Sequence, residues 1–134
     1  MGSLAGLSDY LYLSNNRLTS VPESLGNLKA LAYLNIAQNK LTCLPESIGR
    51  MTGLQELRLY DNQLSSLPDS LGKLKNLVEL HLQNNALAAL PDSLGRLRNL
   101  RELDLQNNCL RTLPDSIGDL TRLFRLNLRN NQLR

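Results

Sequence analysis

A unit of 23 residues recurs along this chain, and it limits the possible folds more than any other feature. The stretches LQELRLYDNQLSSLPDSLGKLKN (54–76), LVELHLQNNALAALPDSLGRLRN (77–99) and LRELDLQNNCLRTLPDSIGDLTR (100–122) are close copies. The repeats span 8–30, 31–53, 54–76, 77–99, 100–122 and, incomplete, 123–134. Periods of roughly 20–29 residues with this spelling predict a solenoid in which each repeat forms one coil.

Apolar residues occupy the same positions of each repeat, with few exceptions. In the second repeat they are Leu31, Leu34, Ile36, Leu41, Leu44, Ile48 and Met51. The step of two from Leu34 to Ile36 predicts a short strand, and the steps of four and three from Leu44 predict a helical turn. A single coil cannot bury seven apolar side chains, whereas stacked coils gain roughly 1.5–3 kcal/mol per buried leucine before the entropy cost.

Proline and glycine bracket the helical turn of each coil. Proline stands at residues Pro22, Pro45, Pro68, Pro91 and Pro114, and glycine at Gly26, Gly49, Gly72, Gly95 and Gly118. Proline suits a helix start, where its missing N–H is not needed. We expect the glycines to adopt the left-handed conformation that ends a helix.

One asparagine recurs after each predicted strand. The set comprises Asn16, Asn39, Asn62, Asn85, Asn108 and Asn131. A buried amide must be hydrogen-bonded, and the backbone of the neighbouring coil offers partners. A polar residue present in every coil indicates a structural ladder rather than a ligand site.

The spelling L-x-x-L-x-L-x-x-N-x-L-x-x-L-P-[ED]-S-[LI]-G-x-L resembles the leucine-rich repeat in its 23-residue variety. Similar repeats occur in intracellular Ras-signalling and cell-polarity scaffolds, plant Ras-group proteins and bacterial proteins, some of them secreted effectors. The match covers residues 8–134. It implies one α/β domain over 1–134, an open right-handed solenoid. A parallel sheet would line the concave face, and short helical or 3₁₀ segments the convex face.

The same resemblance implies a module that binds a protein partner through its concave face, with no enzymatic activity and no cofactor. Side chains that alternate with the buried leucines of each strand point to that face. The candidate binding residues are Tyr10, Tyr12, Tyr33, Glu56, Arg58, Tyr60, Glu79, His81, Glu102, Asp104, Arg125 and Arg129. Tyrosine offers a large contact area with little entropy to lose. We expect a partner with an apolar end over the tyrosines and a basic stretch over the glutamates. Alternatively, tyrosine simply suits strands.

His81 should stand beside Arg58 and Asp104 on adjacent strands, which raises catalysis and metal binding as two possible roles for it. A catalytic triad needs a nucleophile within reach of the imidazole. The residues expected nearby do not supply one: Tyr60, Gln83, Gln106 and Glu79. A lone histidine with Glu79 and Asp104 is a weak ligand set for a metal. A cross-strand ion pair is the expected state of His81.

On the convex side, acids and bases four residues apart are expected to pair across the helical turn. These pairs are Glu46–Arg50, Asp69–Lys73 and Asp92–Arg96. The sequence contains no P-loop, GxSxG, HExxH or paired-cysteine zinc motif. It therefore offers no recognised catalytic or metal-binding motif.

Charge and cysteine content narrow the partners and the compartment. The net charge is +3 with a pI of about 9.1, and the bases alternate with acids, so nucleic acid is not an expected partner. No apolar stretch approaches the ~20 residues that span a bilayer. Cys43 and Cys109 lie three coils apart, too far for a disulfide. Free thiols favour the cytoplasm, or a host cytosol if the protein is a bacterial effector.

Residues 1–7 show no capping motif, and the sixth repeat stops at Arg134. These features predict a segment of a longer protein, or an engineered array, with a tendency to associate end to end. Two other functions stay open. One is a structural spacer or consensus scaffold without a ligand, and the other is a targeting segment of a larger effector or signalling enzyme.

Overall fold

Short strands and 3₁₀ helices alternate along the chain in a computed structural model that describes Leu4 and residues 6–134. The strands are β1 (Tyr10–Tyr12), β2 (Tyr33–Asn35), β3 (Glu56–Arg58), β4 (Glu79–His81), β5 (Glu102–Asp104) and β6 (Arg125–Asn127). The 3₁₀ helices are Glu23–Asn27, Glu46–Arg50, Asp69–Lys73, Asp92–Arg96 and Asp115–Asp119. Each repeat predicted from the sequence thus places one strand, and the first five each place one 3₁₀ helix.

The strands form one parallel sheet in the order β1-β2-β3-β4-β5-β6. Equivalent repeat positions are in register, so Leu34 pairs with Leu57 and Leu57 pairs with Leu80. The sheet does not close, and its two edges are β1 and β6. The predicted solenoid with a parallel sheet on one face and 3₁₀ segments on the other is confirmed.

The core is a column of aliphatic side chains, one layer for each coil. Leu57, Leu59 and Leu64 in the third coil are fully buried, and their equivalents in the coils on either side are buried as well. The layers are less complete in the sixth coil, where Leu126 and Leu133 are exposed. Such a core needs few aromatic residues because every layer has the same shape.

Each 3₁₀ helix begins directly after its proline. Pro45 has an extended backbone, and its carbonyl accepts the first helical hydrogen bond from the N–H of Ile48 at 3.1 Å. The helix ends at Met51, whose φ of −81° and ψ of 58° form an inverse γ-turn, with the N–H of Thr52 donating to the carbonyl of Arg50 at 2.9 Å. No left-handed residue takes part in ending the helix.

The prediction for Gly26, Gly49, Gly72, Gly95 and Gly118 was therefore wrong, since no described glycine has a positive φ. Glycine is needed for space instead. A Cβ added to Gly49 would lie 2.6 Å from the main-chain oxygen of Ser70 and 2.8 Å from its Cβ. Adjacent 3₁₀ helices thus pack backbone against backbone, which only a residue without a side chain allows.

The left-handed conformation occurs elsewhere, at the residue just before each ladder asparagine. The φ angle there lies between 56° and 60° at Asn15, Gln38, Asp61, Asn84, Asn107 and Asn130. Asparagine and aspartate tolerate this region better than other residues that carry a side chain. The turn after each strand therefore explains why the sequence prefers Asn or Asp at this position.

The predicted pairs Glu46–Arg50, Asp69–Lys73 and Asp92–Arg96 were wrong. Among the described residues, the contacts between basic and acidic side chains are Arg58–Glu56, His81–Glu79 and Arg125–Glu102, all on the sheet. A 3₁₀ helix has about three residues per turn, so residues three apart, and not four, share a face. The acids do lie in the first turn of every 3₁₀ helix, as expected.

The predicted lack of a cap over residues 1–7 involves residues 1–3 and 5, which lie outside the described residues. Within the described part of the chain, no helix has the length and apolar character needed to cross a membrane.

Candidate binding surface

The asparagines after the strands tie neighbouring coils together and so hold the concave face in place. Asn62 donates from Nδ2 to the carbonyls of Ile36, in the preceding coil, at 3.0 Å and of Leu59 at 3.1 Å. Its Oδ1 accepts the N–H of Leu41 at 3.0 Å. The same pattern recurs at Asn39, Asn85, Asn108 and Asn131.

Asn16 differs from the other five asparagines. It is exposed and donates only within its own coil, to the carbonyls of Leu13 at 3.0 Å and Ser14 at 3.2 Å. Among the described residues, five of the six asparagines therefore bond between coils, and Asn16 bonds within its own coil.

Three tyrosines form one stacked cluster at the β1 edge of the sheet. The rings of Tyr10 and Tyr33 lie 4.9 Å apart, and those of Tyr10 and Tyr12 lie 5.8 Å apart with an interplanar angle of 9°. Tyr10 is 53% exposed and Tyr12 67% exposed. The cluster borders a shallow groove of about 270 Å³ that Glu56 and Arg58 also line. Tyr60 is half-buried and does not join the stack.

A row of three glutamates crosses the middle of the face. Glu56 pairs in register with Glu79, and Glu79 with Glu102. Each has a basic side chain beside it: Arg58 bonds to Glu56 through Nε, His81 Nε2 lies 3.1 Å from Glu79, and Arg125 lies 3.5 Å from Glu102. These neighbours offset the repulsion between carboxylates on adjacent strands.

The expected cross-strand ion pair at His81 was wrong. The register does place His81 between Arg58 and Asp104, as predicted. However, the imidazole turns along its own strand to Glu79, two residues away on the same face. Asp104 instead accepts the main-chain N–H of Gln106 at 3.0 Å. Side chains two apart on a strand share a face, and here this contact replaces the one across the sheet.

The surroundings of Arg58 shift its pKa. Burial lowers the pKa of Arg58, but the hydrogen bond to Glu56 and the electrostatic interactions with Glu56, Tyr60 and Glu79 more than offset it. The pKa of Arg58 therefore lies above its ordinary value. Its guanidinium stays charged and acts as the fixed counter-ion of the glutamate row.

One group of side chains has the composition of a metal site. Glu56, Glu79 and His81 offer three ligand atoms within 4.8 Å of one another. The sequence pointed to Glu79 and Asp104 as the acids near His81, and it missed Glu56. Arg58 already forms a hydrogen-bonded ion pair with Glu56, and a positive guanidinium beside a ligand opposes the binding of a cation. The guanidinium of Arg58 thus partly neutralises the two carboxylates without an ion.

The other end of the face is a polar hollow of about 430 Å³ between β4, β5 and β6. His81, Glu102 and Asp104 line it together with Arg125 and Arg129. The side chain of Asn127 donates to Oε1 of Gln106 at 2.8 Å beside this hollow. Seven of the twelve candidate residues thus border this hollow or belong to the Arg58–Glu56 and Arg125–Glu102 contacts. The other five are Tyr10, Tyr12, Tyr33, Tyr60 and Glu79.

Comparison with solved structures shows the same architecture in proteins of bacteria and plants. A leucine-rich repeat protein of Leptospira interrogans is 37% identical with a TM-score of 0.88, over 99% of this chain and 40% of that one. The ectodomain of the Arabidopsis thaliana receptor kinase GASSHO1/SCHENGEN3, solved with Casparian strip integrity factor 2, is 39% identical with a TM-score of 0.89, over 98% and 16%. YopM of Yersinia enterocolitica is 39% identical with a TM-score of 0.75, over 91% and 24%.

This chain therefore spans well under half the length of each of these three proteins. Among curated proteins, none matches the sequence closely enough to count as a relative. Two family models match instead, a leucine-rich repeat region over residues 1–86 and a leucine-rich repeat over residues 75–133. The chain belongs to the leucine-rich repeat family.

Proposed function

We propose that the concave sheet binds a segment of a partner protein and that the tyrosine cluster supplies the main anchor. The supporting observation is the stack of Tyr10, Tyr12 and Tyr33 on a sheet whose coils the asparagine ladder joins, with Tyr10 and Tyr12 exposed and Tyr33 half-buried. Rings already stacked lose little freedom on binding, and tyrosine is enriched among the residues that dominate interfaces. An apolar or aromatic side chain of the partner would lie over these rings.

The glutamate row adds selectivity rather than most of the affinity. Because Arg58, His81 and Arg125 already pair with the three glutamates, a basic partner must compete with them. Charge pairs of this kind affect the rate and register of binding more than its strength. The expected basic stretch of the partner therefore sets the register of binding along the glutamate row.

The size of the face sets the expected strength. Six strands at roughly 4.8 Å spacing and ~13 Å length give about 300 Å² of floor, whereas a standard interface buries ~800 Å² on each partner. Side-chain relief enlarges this area. We infer a weak binder with no catalytic role and no cofactor. The receptor ectodomain solved with Casparian strip integrity factor 2 offers a parallel, since it has the same fold and carries a bound factor.

Peptide display against this chain tests the proposal. Peptides selected on the wild-type protein should contain an apolar or aromatic residue and should bind the double variant Tyr10→Ala/Tyr33→Ala at least about tenfold more weakly. The matched control is Glu46→Ala/Asp69→Ala on the convex side, which should leave binding unchanged. Peptides that bind both double variants equally would contradict the tyrosine anchor.

A second candidate is an assembly unit, which the exposed apolar side chains of the sixth coil favour. Phe124 is 68% exposed, and Leu126 and Leu133 are exposed as well. We infer that this chain self-associates through that coil at high concentration, because an unpaired strand beside apolar side chains recruits further strands. Light scattering should show a mass that grows with concentration and returns to the monomer in Leu126→Glu. A strict monomer throughout would remove this candidate.

We also propose the cytoplasm, or a host cytosol for an effector, as the site of action. Cys43 is an exposed free thiol, and Cys109 is a half-buried one. Oxidising compartments favour paired cysteines. Isolation of the natural protein with Cys43 oxidised or capped by a second thiol would argue against this location.

A further inference from the structure

Basic side chains from three neighbouring coils meet at the edge where the 3₁₀ helices lead into the strands. Lys73, Lys75, Arg96, Arg98 and Arg122 line one groove of about 840 Å³ there. Arg101 lines a smaller hollow of about 250 Å³ that shares Arg122 with this groove. We call the surface formed by these six residues the basic groove. The linear sequence conceals it, because the members come from repeats 23 residues apart.

The positive charge of the basic groove is not neutralised from within. All six side chains are exposed, and none of them is in an ion pair among the residues that the structure describes. Asp69 and Asp115 stand at the opposite end of their 3₁₀ helices, roughly 8 Å away along each helix. Asp92 and Asp119 line an adjoining hollow together with Arg96 and Arg98. Both carboxylates stand outside the lining of the groove itself.

Part of the basic groove is held in a set geometry. Nη1 of Arg122 donates to Oδ1 of Asn99 at 2.7 Å, and Nδ2 of Asn99 donates to the carbonyl of Lys75 at 2.7 Å. This chain of hydrogen bonds links three coils and fixes the guanidinium of Arg122 at the rim. A guanidinium that is already oriented loses less entropy when it binds a carboxylate.

We propose that the basic groove binds an acidic segment of a partner protein in extended conformation, on a surface separate from the concave sheet. Its carboxylates would pair with Arg96, Arg98 and Arg122. A groove suits a single extended chain, whereas a membrane surface would meet the flanking Asp92 and Asp119 as well. No aromatic side chain lines the groove, so stacking, which supports the binding of single-stranded nucleic acid, is missing.

Fluorescence anisotropy with a labelled oligoglutamate of about ten residues, roughly 33 Å long when extended, provides the test. Arg96→Glu/Arg98→Glu should weaken binding at least about tenfold, and binding should fall as salt rises. The control is Arg17→Glu/Lys40→Glu, an equal change of charge on exposed residues at the far end of the strands. It should change the affinity less than about twofold.

Three outcomes would overturn the proposal: no binding of the oligoglutamate by the wild type, an equal loss in both charge-reversal variants, or tighter Arg96/Arg98-dependent binding of anionic vesicles or oligothymidylate. An equal loss would mean that net charge alone attracts the peptide. The concave double variant Tyr10→Ala/Tyr33→Ala should bind oligoglutamate as the wild type does. Failure of the tyrosine anchor and failure of the basic groove are thus told apart.

Discussion

The main-chain oxygen of Ser70 lies only 2.6 Å from the place that a Cβ on Gly49 would occupy. We therefore expect Gly49→Ala to destabilise the fold by roughly 1–3 kcal/mol, the usual cost of forcing extra atoms into a packed site. The backbone of the next coil would have to move, because an oxygen in the main chain cannot rotate aside. Urea denaturation followed by circular dichroism measures the loss.

Gly118→Ala is the matched control for that substitution. Gly118 has the same place in its 3₁₀ helix, but a Cβ there would meet nothing within 4 Å. We expect a change within about ±0.5 kcal/mol. Equal losses in both variants would mean that backbone conformation, and not contact between coils, requires glycine at this position.

The asparagine ladder leads to a second comparison within the chain. Asn62→Ala leaves the N–H of Leu41 without its partner inside the stack, whereas the carbonyls of Ile36 and Leu59 each keep a second donor, Asn39 or Asn85. A buried polar group left unpaired costs about 1–3 kcal/mol, so we expect a loss of this size in the free energy of unfolding. Thermal and urea denaturation both report it.

Asn16→Ala provides the reference for the ladder. Asn16 is exposed and bonds only within its own coil, so water replaces the lost contacts. We expect a loss below about 1 kcal/mol. A cost at Asn16 that equals the cost at Asn62 would show that the asparagine acts within its own turn and not between coils.

Features that repeat in every coil could be predicted from the sequence. The strands, the 3₁₀ segments and the leucine core follow from apolar spacing, which reflects which side chains point inward. The need for glycine at Gly49 could not be explained from the sequence, because it depends on how closely Ser70 of the next coil approaches. Spacing rules treat each coil alone, so contacts between coils lie beyond them.

The surface was harder to predict than the core for a related reason. The sequence placed Arg58, His81 and Asp104 in register, but it did not show that His81 would choose Glu79. Several partners lie at similar distances on an exposed sheet, and small differences in rotamer energy decide among them. The convergence of Lys75 and Arg122 likewise needed the three-dimensional stack.

Gln38 is the least suitable residue at the left-handed position of the turns. Its φ is 56°, and four of the other five coils use asparagine there and one uses aspartate. We expect Gln38→Asn to stabilise the protein by up to about 1 kcal/mol, because asparagine tolerates this conformation better. Asn130→Gln, the reverse change in another coil, should destabilise it similarly. Urea denaturation should show changes of opposite sign in the free energy of unfolding of the two variants. No change in either variant would contradict the prediction.

Arg58 gives a prediction about charge. Glu56 and Glu79 face each other across adjacent strands, and Arg58→Ala removes the guanidinium that pairs with Glu56. The side chain of Arg58 is 43% exposed, so screening by water limits the expected loss of stability to less than about 1 kcal/mol. In roughly 1 M salt, where charges are screened within about 3 Å, the loss should shrink. Arg129→Ala, which removes an exposed arginine from the same face, serves as the control.

The pH dependence of Arg58 follows from the direction of its shift. The pKa of Arg58 is raised, so its contribution is fully present below the ordinary arginine pKa and is lost only as the pH rises through the still higher folded value. Between about pH 6 and about pH 9, where arginine stays protonated, the difference between wild type and Arg58→Ala should therefore stay constant. Urea denaturation at several pH values and two salt concentrations separates the contribution of the charge of Arg58 from the contribution of its packing. If the stability difference between wild type and Arg58→Ala did not change with salt, the aliphatic part of Arg58 would stabilise the sheet by packing rather than by charge.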